Sequence, residues 1–200
     1  QRRRLMIWAD IGRAVLIPSV PVAHVLGWLT IAQLYLVRFL VRALTVVFDA
    51  CVLYPDALRD FLVTLACTDL FRAKWTDAIH EEWTRNLLAD RPEIPRERME
   101  RTRTLMNTAV PDSLVTGYEG LIEALTLPDP DDRHILAAAI RCGADAIVTF
   151  NLKDFPASVL GPLGIEAQHP DEFVADLIDQ SASAVCQAAK AHRARLKNPP

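Results

Sequence analysis

Acidic residues stand at three places in this sequence where a strand ends or a helix begins. Asp49 closes the apolar run LTVVF at 44–48. Asp129, Asp131 and Asp132 open a helical pattern, and Thr149-Phe150-Asn151-Leu152-Lys153-Asp154 follows a second apolar run. Carboxylate and amide oxygens brought together without cysteine or histidine suit a hard divalent cation, Mg²⁺ or Mn²⁺. Each residue also has a plainer use: Asp49 as the first turn residue after a strand, Asp131 or Asp132 as a helix N-cap, Asn151 and Asp154 as turn residues. Glu81 and Glu82, on a helix, read by default as solvated acids. The joint arrangement is what points to a site.

Other chemistries find little support. The four cysteines, Cys51, Cys67, Cys142 and Cys186, form no CxxC pair, so they suggest neither a zinc site nor a disulfide framework and read as small hydrophobes in a reducing cytoplasm. The histidines at 24, 80, 134, 169 and 192 show no HxxxH or HExxH spacing, and no GxGxxG or GxxxxGK[ST] phosphate cradle occurs. A phosphatase of the haloacid dehalogenase type needs DxD after its first strand, where this chain has Asp49-Ala50-Cys51. A net charge of −3 excludes holding nucleic acid by bulk electrostatics, so such a role needs a local site. Arg85, Arg91, Arg96, Arg98, Arg101 and Arg103 make a locally basic stretch. Asp90, Glu93, Glu97 and Glu100 interleave with them, as on a solvated helix face.

The elements that must position these residues follow from the pattern. At 200 residues and 51% hydrophobic the chain is long enough for one well-packed domain. Residues 14–37 carry no Asp, Glu, Lys or Arg, which matches the roughly 20 residues of a bilayer-crossing helix. Pro18, Pro21, His24 and Gln33 speak against one, and arginines at both ends give no orientation. Residues 1–43 are therefore set apart as an apolar helical extension: a packed helix, a spurious upstream segment, or a means of membrane association. The start at Gln1 and the stop at Pro200, directly after a helical pattern, read as a piece of a longer product.

From Leu44 short strands and amphipathic helices alternate. Strands are expected at 44–48, 71–75, 114–116, 146–150 and 165–167. Helices are expected at 57–68, at 77–88 behind a Thr76 cap, within 91–107 starting near Pro95, at 135–142 with Gly143 as its stop, and from Pro170 to about Ala191. Strict alternation implies a parallel sheet covered on both faces, and ligands in such sheets bind beyond the carboxyl ends of strands near the switch in strand order. The expected organisation is an α/β domain over 44–175 with a C-terminal helix and tail over 176–200.

VVFDACVLYP at 46–55, TDAIHEEWTRNL at 76–87, LPDPDDRHILAAAIRCGADAIVTFNLKDFP at 127–156 and GIEAQHPDEF at 164–173 together resemble the PIN-domain family, in its VapC-like toxin branch. The resemblance covers about residues 44–175. It implies a three-layer α/β/α sandwich with a five-stranded parallel sheet and a Mg²⁺- or Mn²⁺-dependent endoribonuclease leaving 5′-phosphate and 3′-hydroxyl ends. It also implies a cognate antitoxin and a homodimer built on the helices at 77–88 and 91–107. The family's acids fall on Asp49, on Glu82 (Glu81 being the alternative) and on Asp132, and Thr149 matches a hydroxyl beside the site. At the fourth acidic position this chain has Asn151, with Asp154 as a candidate replacement. An amide oxygen can coordinate a cation but adds no charge, so of two metals about 4 Å apart the second would be the one weakened. A one-metal site, one completed by substrate, or a PIN-fold module that binds RNA or protein with weakened catalysis are the alternatives this leaves.

Overall fold

A computed structural model describes residues 44–195. The expectations for residues 1–43, the uncharged segment 14–37 among them, lie outside the described residues.

The run LTVVF forms β1 (Leu44–Phe48), and Val46, Val47 and Phe48 are all fully buried. Consecutive residues of a strand point to opposite faces, so burial of all three means that both faces are covered, as in parallel sheets flanked by helices. Two helices follow, α1 (Ala50–Leu53) and α2 (Asp56–Ala66), before β2 (Phe71–Lys74). Next come α3 (Asp77–Asp90), α4 (Arg96–Ala109) and α5 (Arg133–Cys142), then β3 (Ala146–Val148), α6 (Ala157–Leu160), β4 (Glu166–Gln168) and α7 (Pro170–Arg195). Gly143 ends α5 at φ 62, a left-handed position that glycine adopts without steric cost. The long α7 is interrupted by extended backbone at Ser181 and lies along α2, burying Phe173, Leu177, Val185 and Ala188.

All strand pairs are parallel, in the order β2-β1-β3-β4. The chain steps from β1 to β2 on one side, then crosses back to place β3 on the other. The switch in direction therefore falls between β1 and β3, where open α/β sheets leave a crevice at the strands' carboxyl ends.

Among the described residues the sheet has four strands, not the expected five. The segment at 114–116 contributes a single bridge, Leu114 to Trp75, through Trp75 N–H to Ser113 O at 3.0 Å and Val115 N–H to Trp75 O at 2.8 Å. Left-handed residues on either side, Asp112 at φ 60 and Gly117 at φ 72, turn the chain in and out before a ladder can extend. The strand expected at 146–150 stops at Val148, which leaves Thr149 and Phe150 beyond the sheet.

The carboxyl end of β1 is anchored by aromatic packing. Phe48, Phe71 and Phe173 meet edge to face, with centroids 5.9 Å (Phe48–Phe71), 6.0 Å (Phe48–Phe173) and 4.9 Å (Phe71–Phe173) apart. Removing the Phe48 ring leaves a cavity under the residue before Asp49. Phe48→Ala is expected to cost about 3–5 kcal/mol in urea unfolding, and a loss under about 1 kcal/mol would mean that the site rests on other supports.

Candidate metal centre

Register brings the first two site residues together. Val46 pairs with Ala146 and Phe48 with Val148, so Asp49 and Thr149 leave the sheet side by side, and Asp49 N–H donates to Val148 O at 3.1 Å. Thr149 Oγ1 donates to Asp49 Oδ2 at 2.5 Å, and the Cys51 thiol donates to the same oxygen at 3.1 Å. Asp49 also caps α1, but weakly, since Cys51 N–H reaches Oδ1 only at 3.3 Å. The carboxylate is 3% exposed and held on both oxygens. The sequence reading took Cys51 only as a small hydrophobe, and no spacing rule would have found its place beside Asp49. Burial and the Asp49 charge push its thiol up to about 12, so it stands here as a neutral donor rather than a nucleophile.

Asp132 is the electrostatic centre of the group. Its carboxyl is pushed up to about 7, first by burial and then by the charges of Asp49, Asp129, Asp154 and Glu82. Asp132 occupies the cap position of α5, yet its side chain makes no capping hydrogen bond. The turn before α5 is instead closed by Asp129, whose Oδ1 accepts from Asp131 N–H at 2.9 Å. The plainer use of Asp132 is thus not taken up. Asp129, grouped with Asp131 and Asp132 by sequence position but given no role by the resemblance, joins the acidic field.

Glu82 arrives on α3, whose start is fixed by Thr76 Oγ1 accepting from Ile79 N–H at 3.0 Å, as the sequence suggested. Successive residues lie about 100° apart on a helix, which separates the two adjacent glutamates. Glu81 turns to Arg103, 3.5 Å away. Glu82 turns to His134, with Oε2 at 3.4 Å from Nε2, and into the field of Asp132. Arg103 also meets Asp77 and Glu100, so part of the basic stretch is spent on ion pairs of the helix surface.

The helix bearing Glu82 is itself pinned from two sides. Asn107 Oδ1 lies 2.7 Å from Trp75 Nε1 and 3.1 Å from His80 Nε2, while Trp83 Nε1 donates to His80 Nδ1 at 3.1 Å. Burial lowers the His80 pKa, keeping this link between α3 and α4 neutral. Arg59, 5% exposed, donates to Leu53 O at 2.9 Å, with its guanidinium 4.6 Å from the Trp83 ring centroid. One side chain thus ties the helix after Asp49 to the helix bearing Glu82. An arginine within the pattern DALRDFLVTLA is the only trace of this in the sequence.

Asp154 closes a short turn after β3 and belongs to the same field. Asn151 stands exposed, with its N–H on Thr149 Oγ1 at 2.9 Å. The donor set is therefore rich in oxygen and strongly anionic, which suits a hard divalent cation. Among the described residues, no three acidic, histidine or cysteine side chains are gathered tightly enough to form a closed cage around one point. The acids share a field rather than a finished coordination shell. No helix among the described residues is long and apolar enough to cross a membrane.

A model described as PIN domain matches residues 45–153, and the chain belongs to that family. A second model, described as VapC50 C-terminal domain, matches residues 170–200. Among curated proteins, the one named "Putative ribonuclease VapC50" from Mycobacterium tuberculosis is 47% identical over 77 residues, covering 36% of this chain. The match spans 45% of that relative, somewhat under half its length. No solved structure matches the chain significantly.

Proposed function

We propose that this chain is a divalent-cation-dependent endoribonuclease that hydrolyses RNA phosphodiester bonds and serves as the toxin of a toxin–antitoxin pair. The observation that carries the reading is the buried Asp49 carboxylate, held by Thr149 where β1 and β3 end at the switch in strand order, with Glu82, Asp129, Asp132 and Asp154 in the same acidic field. Such an arrangement holds acids in an unfavourable state that a bound cation relieves. The name of the curated relative, a ribonuclease, supports the choice of substrate.

Asp49, Glu82 and Asp132 would hold Mg²⁺ or Mn²⁺, with Asp154 in the place left by Asn151. When bound, the cation supplies a water activated near neutral pH and positive charge for the pentacoordinate transition state. The protein's own residues do the positioning. Thr149 and Cys51 fix the Asp49 carboxylate from one side, and the hydrogen bonds of Asn107 and His80 fix the helix carrying Glu82. Asp132 keeps its oxygens out of helix capping and so available to a ligand. Pairing with an antitoxin, and a homodimer through α3 and α4, belong to the same reading.

A second reading, an RNA- or protein-binding module with weakened catalysis, is favoured by Asn151 alone, since the fourth corner lacks its charge. Incubating the full chain with RNA in Mn²⁺ and again after chelation with EDTA separates the two. Cleavage stopped by EDTA and restored by Mn²⁺ is the expected result. Cleavage indifferent to EDTA would remove the cation from the mechanism, and RNA binding without cleavage would select the binding module.

A further inference from the structure

The residue after Thr149, whose hydroxyl holds the Asp49 carboxylate, carries a half-exposed aromatic ring. Val148 and Thr149 are fully buried and Phe155 is 2% exposed, but between them Phe150 is 42% exposed and Leu152 39%. The core therefore does not need Phe150. Its backbone is nonetheless fixed: the Phe150 N–H donates to Cys51 Sγ at 3.4 Å, and the next residue's N–H donates to Thr149 Oγ1 at 2.9 Å. That sulfur in turn meets the Asp49 carboxylate, so the ring stands one residue from the group that holds Asp49.

The ring is backed by a second one. His169, beyond the end of β4, packs edge-on against Phe150 with centroids 5.2 Å apart and an interplanar angle of 65°. The Asp171 N–H donates to His169 Nδ1 at 3.2 Å, which fixes the imidazole. A rigid, half-exposed aromatic face at the carboxyl edge of the sheet results.

Electrostatics gives such a face a purpose. The net charge is −3 and Asp132 lies among four further acids, so a polyanion approaching this edge meets repulsion. Without a cation at the acids, contacts that need no positive charge help to offset it. Stacking on an aromatic ring is one such contact, and it tolerates any base because every base has a π-face. A duplex hides those faces, so the ligand must be single-stranded.

We propose that Phe150, held in place by His169, is a stacking platform for a base of single-stranded RNA next to the bond to be cut. This rests on the ribonuclease reading for the position of that bond, while the stacking itself can be read from binding alone.

The test measures affinity of the full chain for a labelled single-stranded oligoribonucleotide by fluorescence anisotropy in EDTA, so that cleavage plays no part. Phe150→Leu keeps apolar bulk but loses the π-face and is expected to weaken binding about tenfold, whereas Phe150→Trp stays within about twofold of the native chain. On an abasic oligomer of the same length the Leu variant and the native chain bind alike. Equal affinity of the Leu variant and the native chain for base-bearing RNA overturns the platform, and so does an equal loss on the abasic oligomer. Should the Leu variant fail to fold, the Trp variant decides: its added emission is quenched by base-bearing RNA and not by the abasic oligomer, and absence of quenching overturns the proposal. Cleavage in Mn²⁺ with unchanged Leu-variant affinity sinks the platform and leaves the nuclease standing. Weakened Leu-variant binding by a chain that does not cleave sinks the nuclease and leaves the platform. No binding of base-bearing RNA by the native chain sinks the platform, and cleavage in Mn²⁺ then decides the nuclease by itself.

Discussion

An Asp49→Asn chain is expected to lose RNA cleavage by about a thousandfold or more while folding as well as the native chain. Cation chemistry at a phosphodiester supplies several kcal/mol of transition-state stabilisation, and each 1.36 kcal/mol is about tenfold in rate, so loss of one buried ligand charge reaches roughly this size. The fold should tolerate the change because an asparagine oxygen can still accept from Thr149 Oγ1 in place of Oδ2, and the neighbouring Asp132 is relieved of one like charge. Initial rates in saturating Mn²⁺, read beside thermal midpoints in EDTA, separate the two effects. Cleavage that survives in a well-folded variant would place the reaction elsewhere in the molecule. A collapse of the midpoint would instead assign Asp49 a structural part.

Asp132 predicts a pH dependence of definite sign. Its folded pKa, about 7, lies above the ordinary 3.8, so between these values the folded chain binds a proton more tightly than the unfolded chain. Stability of the cation-free protein should therefore fall as pH rises from about 4 to about 7 and then level off. Cation binding runs the other way, because the ion competes with that proton. Mn²⁺ affinity and cleavage should climb through the same window up to about pH 7. Asp132→Asn is expected to remove the acid-to-neutral slope in thermal midpoint, to raise the midpoint in EDTA more at pH 8 than at pH 5, and to lower cleavage by about a thousandfold. Midpoints in EDTA that keep the native slope in this variant would show that another group carries the titration. A stabilised variant that no longer cuts is the behaviour of a site held under strain for its ligand.

The fold was largely legible in local pattern because its strongest signals are local. LTVVF carries no charge and sets apolar side chains on both faces of the strand, so both faces are buried. Thr76 and Gly143 mark helix ends through the backbone geometry they permit, and both stand where the pattern put them. The segment at 114–116 misled because apolar, partly β-branched character is necessary but not sufficient for a strand. The left-handed residues beside it decide how many hydrogen bonds it can make, and only one bridge forms.

The site divides along the same line. Asp49 could be singled out from its place at the end of a strand, whereas Asp132 stood level with Asp129 and Asp131 by position and was picked out only by the family resemblance. Glu82 could not be told from Glu81 by local chemistry. The packing of α3 sets one glutamate against Arg103 and the other against His134, within the field of Asp132. The roles of Cys51, Arg59 and Asn107 were invisible, because each acts on a partner far away in the chain or through a geometry no spacing encodes.

By itself the sequence determined which residues carry charge, where elements start and stop, and that the sheet is parallel. Only the tertiary structure decided that the reversal of strand order falls between β1 and β3, that their register sets Thr149 against Asp49, and that four acids press on Asp132. The reason is physical: helix and strand signals act over a few residues, whereas a pKa is set by charges that only packing of distant segments brings within a few ångströms.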